Sequence, residues 1–157
     1  MIKTVIDFDI MKPRDEVFAY ISNFENNPAW QKGKQVCTLT SEGPVGVGTT
    51  YEQMTSFWGR PIVTTFEVVE YEPNRHVKFV SRQCTFPLHI FRSVEPIEGG
   101  TRVHVVIDGE PTGWFLFIGP LVDRLIARAF MKDYTQLKRV LETKNHPSNE
   151  QHGTLND

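Results

Sequence analysis

The sequence predicts an α+β domain in which one long C-terminal helix packs on an antiparallel sheet. From Pro120 to about Thr143 the apolar residues recur at helical spacing, which indicates a helix with one apolar face. Before it, short segments of alternating apolar and polar residues are separated by turn residues, as in antiparallel strands. The apolar positions of the helix are Leu121, Val122, Leu125, Ile126, Ala129, Phe130, Tyr134, Leu137, Val140 and Leu141.

Length and composition limit the kinds of protein that this chain can be. Its 157 residues suit a single core, and its net charge of −2 gives no attraction to nucleic-acid phosphates. No apolar run approaches the roughly 20 residues of a membrane span, and no signal peptide is visible. Cys37 and Cys84 form no CxxC motif and are expected to be reduced thiols. We therefore expect a cytoplasmic monomer or homodimer with no transmembrane segment, no cofactor and no nucleic-acid partner.

The N-terminal region alternates first and then becomes helical. Residues 2–10 alternate apolar and polar side chains, which predicts a half-buried strand. Pro13 suits the first helical position, and two acidic residues follow where the helix dipole favours them. Asn23 and the stretch Asn26-Asn27-Pro28 are expected to break this helix, and a second short helical turn is expected to carry Ala29 and Trp30.

Further strands and the long helix follow, giving seven strands in all. The strands are predicted at 35–41, 49–58, 62–71, 77–82, 88–95 and 101–109, with turns that include Gly59-Arg60-Pro61 and Glu98-Gly99-Gly100. An aromatic link at 111–119 leads into the helix. The polar, aperiodic segment 144–157 is predicted to be a disordered tail, so one domain spans residues 1–143.

Several short motifs resemble those of a known superfamily in their order and spacing. They lie at 13–21, 27–30, 47–51, 68–73 and 95–103. Together they resemble the polyketide cyclase/dehydrase group of the START-like (SRPBCC) superfamily, over roughly residues 1–143. The resemblance implies a helix-grip fold, in which a seven-stranded antiparallel sheet wraps around the C-terminal helix and leaves a ligand cavity between them. Because the superfamily includes cyclases, lipid carriers and hormone receptors, the fold does not fix an activity.

Side-chain alternation predicts which residues face the cavity. In the strand 88–95 the even positions are the more apolar and should face inward, and Arg92 stands among them. The same reasoning places Ile62 inward. The predicted ligand-binding residues are Trp30, Tyr51, Gln53, Thr64, Phe79, Ser81, Ile90, Arg92 and Phe130.

An apolar lining with a few polar points suits a small hydrophobic ligand that has a polar handle. A lipid, an isoprenoid or an aromatic metabolite would fit this description. Arg92 is the expected anchor for a carboxylate, phosphate or carbonyl oxygen, because a guanidinium offers a planar fork to such oxygens. Two structural alternatives for Arg92 are a head group in solvent and a salt bridge to an acidic residue at the sheet edge.

The sequence contains no catalytic or metal-binding motif, so no catalytic residue and no metal ligand is assigned. Alternation places His76, His89 and His104 on the outer face, away from a substrate. Ligand binding is therefore the main hypothesis. One alternative is a polyketide cyclase/dehydratase-type enzyme, with Tyr51 and Arg92 polarising a carbonyl in the same cavity. Another is a ribosome- or quinone-linked protein-interaction role, which an exposed aromatic patch around Trp58 would favour.

Overall fold

The computed structural model describes residues 2–57, 59–83, 87–110 and 119–143. The predictions for Trp58, Cys84, the link at 111–118 and the tail 144–157 lie outside the described residues. The elements are β1 (Ile2–Ile10), α1 (Arg14–Ile21), a 3₁₀ helix (Phe24–Ala29), β2 (Lys34–Leu39), β3 (Thr50–Phe57), β4 (Arg60–Glu72), β5 (His76–Gln83), β6 (Leu88–Ile97), β7 (Gly100–Gly109) and α2 (Gly119–Thr143).

The strands form one antiparallel sheet of seven, in the order β1-β7-β6-β5-β4-β3-β2. Neighbours along the chain from β2 to β7 pair as hairpins, while β1 crosses to pair with β7. The connection from β1 to β2 must therefore span the width of the sheet. It is made by α1, which lies against β6, and by the 3₁₀ helix, which lies against β2. This crossing places helical residues directly over the inner face of the sheet.

The pairing of the middle strands is irregular. The pairing of β4 with β5 shifts register between Thr65 and Phe66 and again between Val68 and Glu70. An extra residue on one strand of a pair bends that strand and increases its local twist. The pairing of β1 with β7 is continuous from Ile2 opposite Gly109 to Ile10 opposite Thr101. The irregularities that favour bending therefore lie away from the β1–β7 pair.

Helix α1 ends at Ile21, before Asn23, so the predicted break after the first helix is confirmed. Two finer predictions are wrong. The stretch Asn26-Asn27-Pro28 lies inside the 3₁₀ helix, whose start is capped by the side chain of Asn23 accepting from the Glu25 N–H. Arg60 and Pro61 are not turn residues, since they pair with Phe57 and Ser56 in the β3–β4 hairpin.

The alternation that was read from the sequence is confirmed on the inner face. The buried residues of β5, β6 and β7 are the predicted ones: Val77, Phe79, Ser81, Ile90, Arg92, Val94, Thr101, Val103, Val105 and Ile107. Ile62 is an exception, because it is 46% exposed although it was predicted to face inward. Its neighbour Val63 is equally exposed, so both faces of the strand are open to solvent at this hairpin end.

The long helix α2 is confirmed, but its buried side is narrower than predicted. Tyr134, Leu137 and Leu141 are fully buried, and the helix lies against β1. Leu121 and Leu125, which were predicted on the same face, are exposed. At about 100° per residue, Leu121 is rotated roughly 160° from Leu137, so it lies on the opposite side of the helix. Among the described residues, no helix is long and apolar enough to cross a membrane.

Candidate functional site

The side chain of Arg92 lies in the interior, on the inner face of β6. It is 0% exposed and stands between the buried residues Ile90 and Val94. Directly across the sheet its neighbours are Val77 on β5 and Val105 on β7, both fully buried. The sequence placed Arg92 in an apolar row, and the structure places its whole side chain there, away from bulk water.

Three hydrogen bonds hold the guanidinium. Its Nε donates to the Tyr134 hydroxyl at 3.1 Å. Its Nη1 donates to the backbone carbonyl of Ile21 at 2.7 Å and, more weakly, to the Asn27 Oδ1 at 3.5 Å. These partners come from α2, α1 and the 3₁₀ helix, so this one side chain connects all three helical elements to the sheet.

Aromatic rings form the rest of the guanidinium's surroundings. The distances from the Arg92 Cζ to the ring centroids are 5.0 Å for Phe24, 5.2 Å for Trp30, 5.5 Å for Phe79 and 5.6 Å for Tyr134. Phe24 stacks on Phe79 at 3.8 Å and meets Tyr51 at 5.6 Å, while Trp30 packs on Tyr134 at 4.9 Å. Aromatic faces attract a cation within about 6 Å of the ring centroid. These residues – Phe24, Trp30, Tyr51, Phe79, Arg92 and Tyr134 – form the Arg92 cluster.

A buried cation needs compensation, and no carboxylate supplies it among the described residues. Neither predicted alternative for Arg92 is seen there, because its head group is buried and its partners are not acidic. Ile21 is the last residue of α1, and the carbonyl end of a helix carries partial negative charge. The helix end and the ring faces therefore provide the negative potential around Arg92.

Four buried polar atoms in this interior have no hydrogen-bond partner within the described part of the chain. They are the Arg92 Nη2, the Trp30 Nε1, the Tyr51 hydroxyl and the Gln53 Oε1. The Arg92 and Trp30 nitrogens can only donate a hydrogen bond, the Gln53 oxygen can only accept one, and the Tyr51 hydroxyl can do either. Buried polar atoms in native proteins are nearly always paired, with protein, water or a ligand. The cluster thus offers a charged and a neutral N–H to an acceptor oxygen.

Both phenols of the cluster stay protonated at neutral pH. Burial raises the pKa of Tyr51 to about 12. Burial also raises the pKa of Tyr134, while the neighbouring Arg92 acts in the opposite direction. A neutral phenol can donate a hydrogen bond, so Tyr51 remains a potential donor to a molecule that reaches the cluster.

The other predicted site residues occupy varied positions. Ile90 and Ser81 are buried, and the Ser81 hydroxyl accepts from the Leu88 N–H at 2.8 Å. Thr64 is half-buried, as is Phe130, which packs against the core from α2. Burial is common to a packed core and to a cavity wall, so a ligand-binding role for these residues stays a prediction.

A small opening reaches the cluster from the side of the molecule. It lies between β1 and α2, has a volume of about 60 Å³, and is lined by residues that include Phe8, Met131 and Tyr134. The Phe8 ring stands 5.8 Å from the Tyr134 ring. Tyr134 also accepts a hydrogen bond from Arg92. Its side chain therefore separates this opening from the buried guanidinium.

Sequence reasoning missed three members of the site. The sequence pattern assigns no role to Phe24, indicates a helix break at Asn27, and identifies Tyr134 only as an apolar residue of α2. The signal for Tyr134 was present, since it lies four residues after Phe130 and therefore shares its side of the helix. No signal in the sequence pointed to the Ile21 carbonyl, which any residue type could supply.

The titratable residues of the outer face lie away from this cluster. His104 pairs with Asp7 at 2.5 Å, and His76 lies 3.8 Å from Glu70 and 3.7 Å from Glu72. His89 lines an open hollow of about 320 Å³ on the same outer face. Within the described residues, no group of three His, Cys, Asp or Glu side chains is arranged to hold a metal ion.

Comparison of the whole sequence with protein families decides where this fold belongs. The family described as polyketide cyclase / dehydrase and lipid transport matches residues 1–142. The chain belongs to this family. The resemblance that the motifs carried is therefore confirmed. No curated protein matches the sequence.

Solved structures share the fold at low sequence identity. TTHA0849 from Thermus thermophilus has a TM-score of 0.75 and 17% identity, with 88% of this chain and 96% of that chain covered. A START superfamily protein from Mycobacterium smegmatis also has a TM-score of 0.75 and 17% identity, with 91% of this chain and 99% of that chain covered. The di-domain ARO/CYC BexL from the BE-7585A biosynthetic pathway gives 0.72 and 18%, covering 90% of this chain and 47% of that chain. These similarities establish the START-like, helix-grip fold and nothing finer.

Proposed function

We propose that this protein binds a small, mainly apolar molecule whose oxygen head group is held at the Arg92 cluster. The observation that carries the proposal is that one cluster contains two buried donors, Arg92 Nη2 and Trp30 Nε1, that have no partner within the described residues. The Arg92 Cζ lies 5.2 Å from the centroid of the Trp30 ring. An unsatisfied buried polar group costs about 1–3 kcal/mol, and more when it is charged. An acceptor oxygen that binds these donors removes that cost, and a carboxylate or phosphate also neutralises the guanidinium.

The surroundings of the cluster suit an apolar body. Phe24 and Phe79 supply ring faces, and Ile90 adds an aliphatic wall. Ligand sites are typically lined by apolar and aromatic groups, with few polar groups that fix orientation. The head group of a fatty acid, an isoprenoid acid or a phenolic metabolite would meet the donors while its hydrocarbon contacts the rings. The family description, which includes lipid transport, supports this class of ligand.

A second candidate function is cyclase or dehydratase chemistry at the same place. It is favoured by the Tyr134 hydroxyl, which is fully buried and accepts a hydrogen bond from the cationic Arg92. A guanidinium can polarise a ligand carbonyl and a neutral phenol can donate to it, which favours enolisation. The description of the family also names cyclases and dehydrases. Turnover of a poly-β-ketone by wild type and its loss in Tyr134→Phe would support this function.

Binding is tested with two dyes that share an aromatic body and differ in one charged group. Anilinonaphthalene sulfonate carries a sulfonate, and phenylnaphthylamine is its uncharged counterpart. We expect both dyes to bind. Arg92→Met should lower the affinity for the sulfonate dye roughly tenfold or more, because a hydrogen bond to a charged group contributes about 1.5–3 kcal/mol. Affinity for phenylnaphthylamine should stay within about twofold.

Two further variants distinguish loss of the ligand anchor from loss of the folded structure. Trp30→Phe keeps an aromatic ring but removes the indole donor and part of the buried ring, so it should lower the melting temperature modestly and weaken binding of the sulfonate dye more than binding of phenylnaphthylamine. Arg102→Met, on an exposed arginine paired with Asp9, is the matched control and should change neither affinity. Equal loss of both dyes in Arg92→Met, with unchanged binding in Trp30→Phe, would refute the proposed anchor. Native mass spectrometry of protein purified from its own host would then identify the natural ligand.

A further inference from the structure

The outer side of α2 exposes two large apolar side chains. Leu121 is 70% exposed and Leu125 is 59% exposed, and they follow each other at a spacing of four residues. Residues four apart lie above one another on a helix, so the two leucines form one apolar ridge. Tyr134 and Leu137, which are buried against the sheet, lie on the opposite side of this helix. The ridge therefore points away from the molecule.

The same outer side carries a row of cations. Arg124, Arg128, Lys132 and Arg139 are all exposed, and none of them forms an ion pair within the described residues. From Leu121 to Arg139 the row extends about 27 Å along the helix at ~1.5 Å per residue. An open hollow of about 410 Å³, lined by residues that include Lys132, Thr135, Gln136 and Arg139, lies along it. These are groups that can bind phosphate oxygens.

The acidic residues of α2 do not neutralise this row. Asp133 is half-buried and accepts from the backbone N–H of Lys32. Glu142 accepts from the Met11 N–H and pairs with Lys138 at 3.2 Å. Asp123 is half-buried near the start of the helix. Although the whole chain has a net charge of −2, this helix carries five cations and three acids, so charge is separated between the helix and the rest of the molecule.

We propose that the outer side of α2 docks on a membrane surface that contains anionic lipid. An interfacial helix binds by burying apolar side chains at the boundary of headgroups and acyl chains while its cations meet lipid phosphates. The ridge of Leu121 and Leu125 would be buried at this boundary. The cations Arg128, Lys132 and Arg139 would contact the lipid phosphates. A nucleic acid would use the cations and leave the leucines exposed, so the combination of both features favours a bilayer. The inner side of the same helix bears Tyr134, so docking would bring the Arg92 cluster close to the membrane.

Vesicle flotation tests this docking without any ligand for the interior. The full chain should float with vesicles of phosphatidylcholine mixed with phosphatidylserine, remain unbound with phosphatidylcholine alone, and dissociate as salt is raised. Leu121→Ser with Leu125→Ser should reduce binding severalfold. Arg128→Glu with Lys132→Glu should reduce it at least roughly tenfold. The control, Lys3→Glu with Arg14→Glu, changes the net charge equally at exposed positions outside α2 and should bind like wild type.

Circular dichroism and thermal melting of each variant establish that it is folded. The proposal is overturned if wild type binds neither vesicle, binds both equally, or if the control loses as much binding as the α2 variants. Binding of a DNA duplex that depends on the cations but not on the leucines would replace it with a nucleic-acid surface. The dye experiment on Arg92 is independent of all these outcomes, so failure of docking and failure of ligand binding are distinguishable.

Discussion

The Nε of Arg92 and the hydroxyl of Tyr134 are joined by a 3.1 Å hydrogen bond between residues 42 positions apart. One residue lies on β6 and the other lies near the middle of α2. This bond attaches the helix to the interior of the sheet at a charged group, where hydrogen bonds contribute more than between neutral groups. The same bond positions the guanidinium, so the proposed ligand recognition would depend on the same contact as stability does.

Removing the Tyr134 hydroxyl should destabilise the protein. Tyr134→Phe keeps the ring contacts with Phe8 and Trp30 but leaves the Arg92 Nε without its partner. We expect a loss of about 1–3 kcal/mol in the free energy of unfolding, measured by urea denaturation. Tyr71→Phe, on a half-buried ring that packs on Phe18, is the control and should stay within about 0.5 kcal/mol. An unchanged midpoint for Tyr134→Phe would mean that this bond contributes no stability.

Leu137 and Phe130 of α2 should respond differently to replacement by alanine. Leu137 is fully buried, so Leu137→Ala should cost about 3–5 kcal/mol. Phe130 is only half-buried, so Phe130→Ala should cost less, roughly 2 kcal/mol, although it removes more atoms. Urea denaturation of the two variants gives this ranking. The opposite order would show that Phe130 is part of the packed core and does not border a ligand space.

Stability should fall in alkaline solution because of Tyr51. Its pKa is raised from 10.0 to about 12 in the folded protein, chiefly by burial. When folding raises the pKa of a group, its contribution to the free energy of unfolding is complete below the pKa of the unfolded chain. That contribution is lost as the pH rises through the pKa in the folded protein. The free energy of unfolding should therefore decrease between pH 10 and about 12. Tyr51→Phe should flatten this decrease, as followed by denaturation at a series of pH values.

The same variant tests the state of the Tyr51 hydroxyl at neutral pH. Its oxygen has no partner within the described residues. Removing an unpaired buried polar group is nearly neutral or stabilising, so Tyr51→Phe should leave the neutral-pH melting temperature equal or higher. A clear drop would reveal a bound partner, such as a trapped water, that the hydroxyl normally contacts.

Replacing Ser81 should affect stability more than ligand affinity. The Ser81 hydroxyl already accepts from the Leu88 N–H, which ties the end of β5 to the start of β6. Ser81→Ala should cost about 1 kcal/mol and leave dye binding unchanged. Ser93→Ala on β6, whose hydroxyl makes a long 3.5 Å contact with the His104 carbonyl, should be close to neutral. If Ser81→Ala instead weakens dye binding at constant stability, Ser81 contacts ligand as the sequence predicted.

The sequence by itself determined the order of the strands along the chain, the long C-terminal helix and the inward side of most strands. Alternation has a period of two, so a side chain such as Arg92 can be assigned to a face from its neighbours alone. The motifs at 13–21 and 95–103 also identified the superfamily correctly. Each of these features depends on residues that are close together along the chain, so a short stretch of sequence is sufficient to specify it.

Only the tertiary structure decided what surrounds Arg92. Its partners Ile21, Asn27 and Tyr134 are 71, 65 and 42 residues away along the chain, and they meet because the β1–β2 connection crosses the sheet. Periodicity also counted Leu121 with the buried face of α2. Steps of three and four residues each rotate by tens of degrees, and over the length of the helix these rotations accumulate until Leu121 lies opposite Leu137. Contacts between distant segments depend on sheet curvature and helix placement, and these follow from packing of the whole chain.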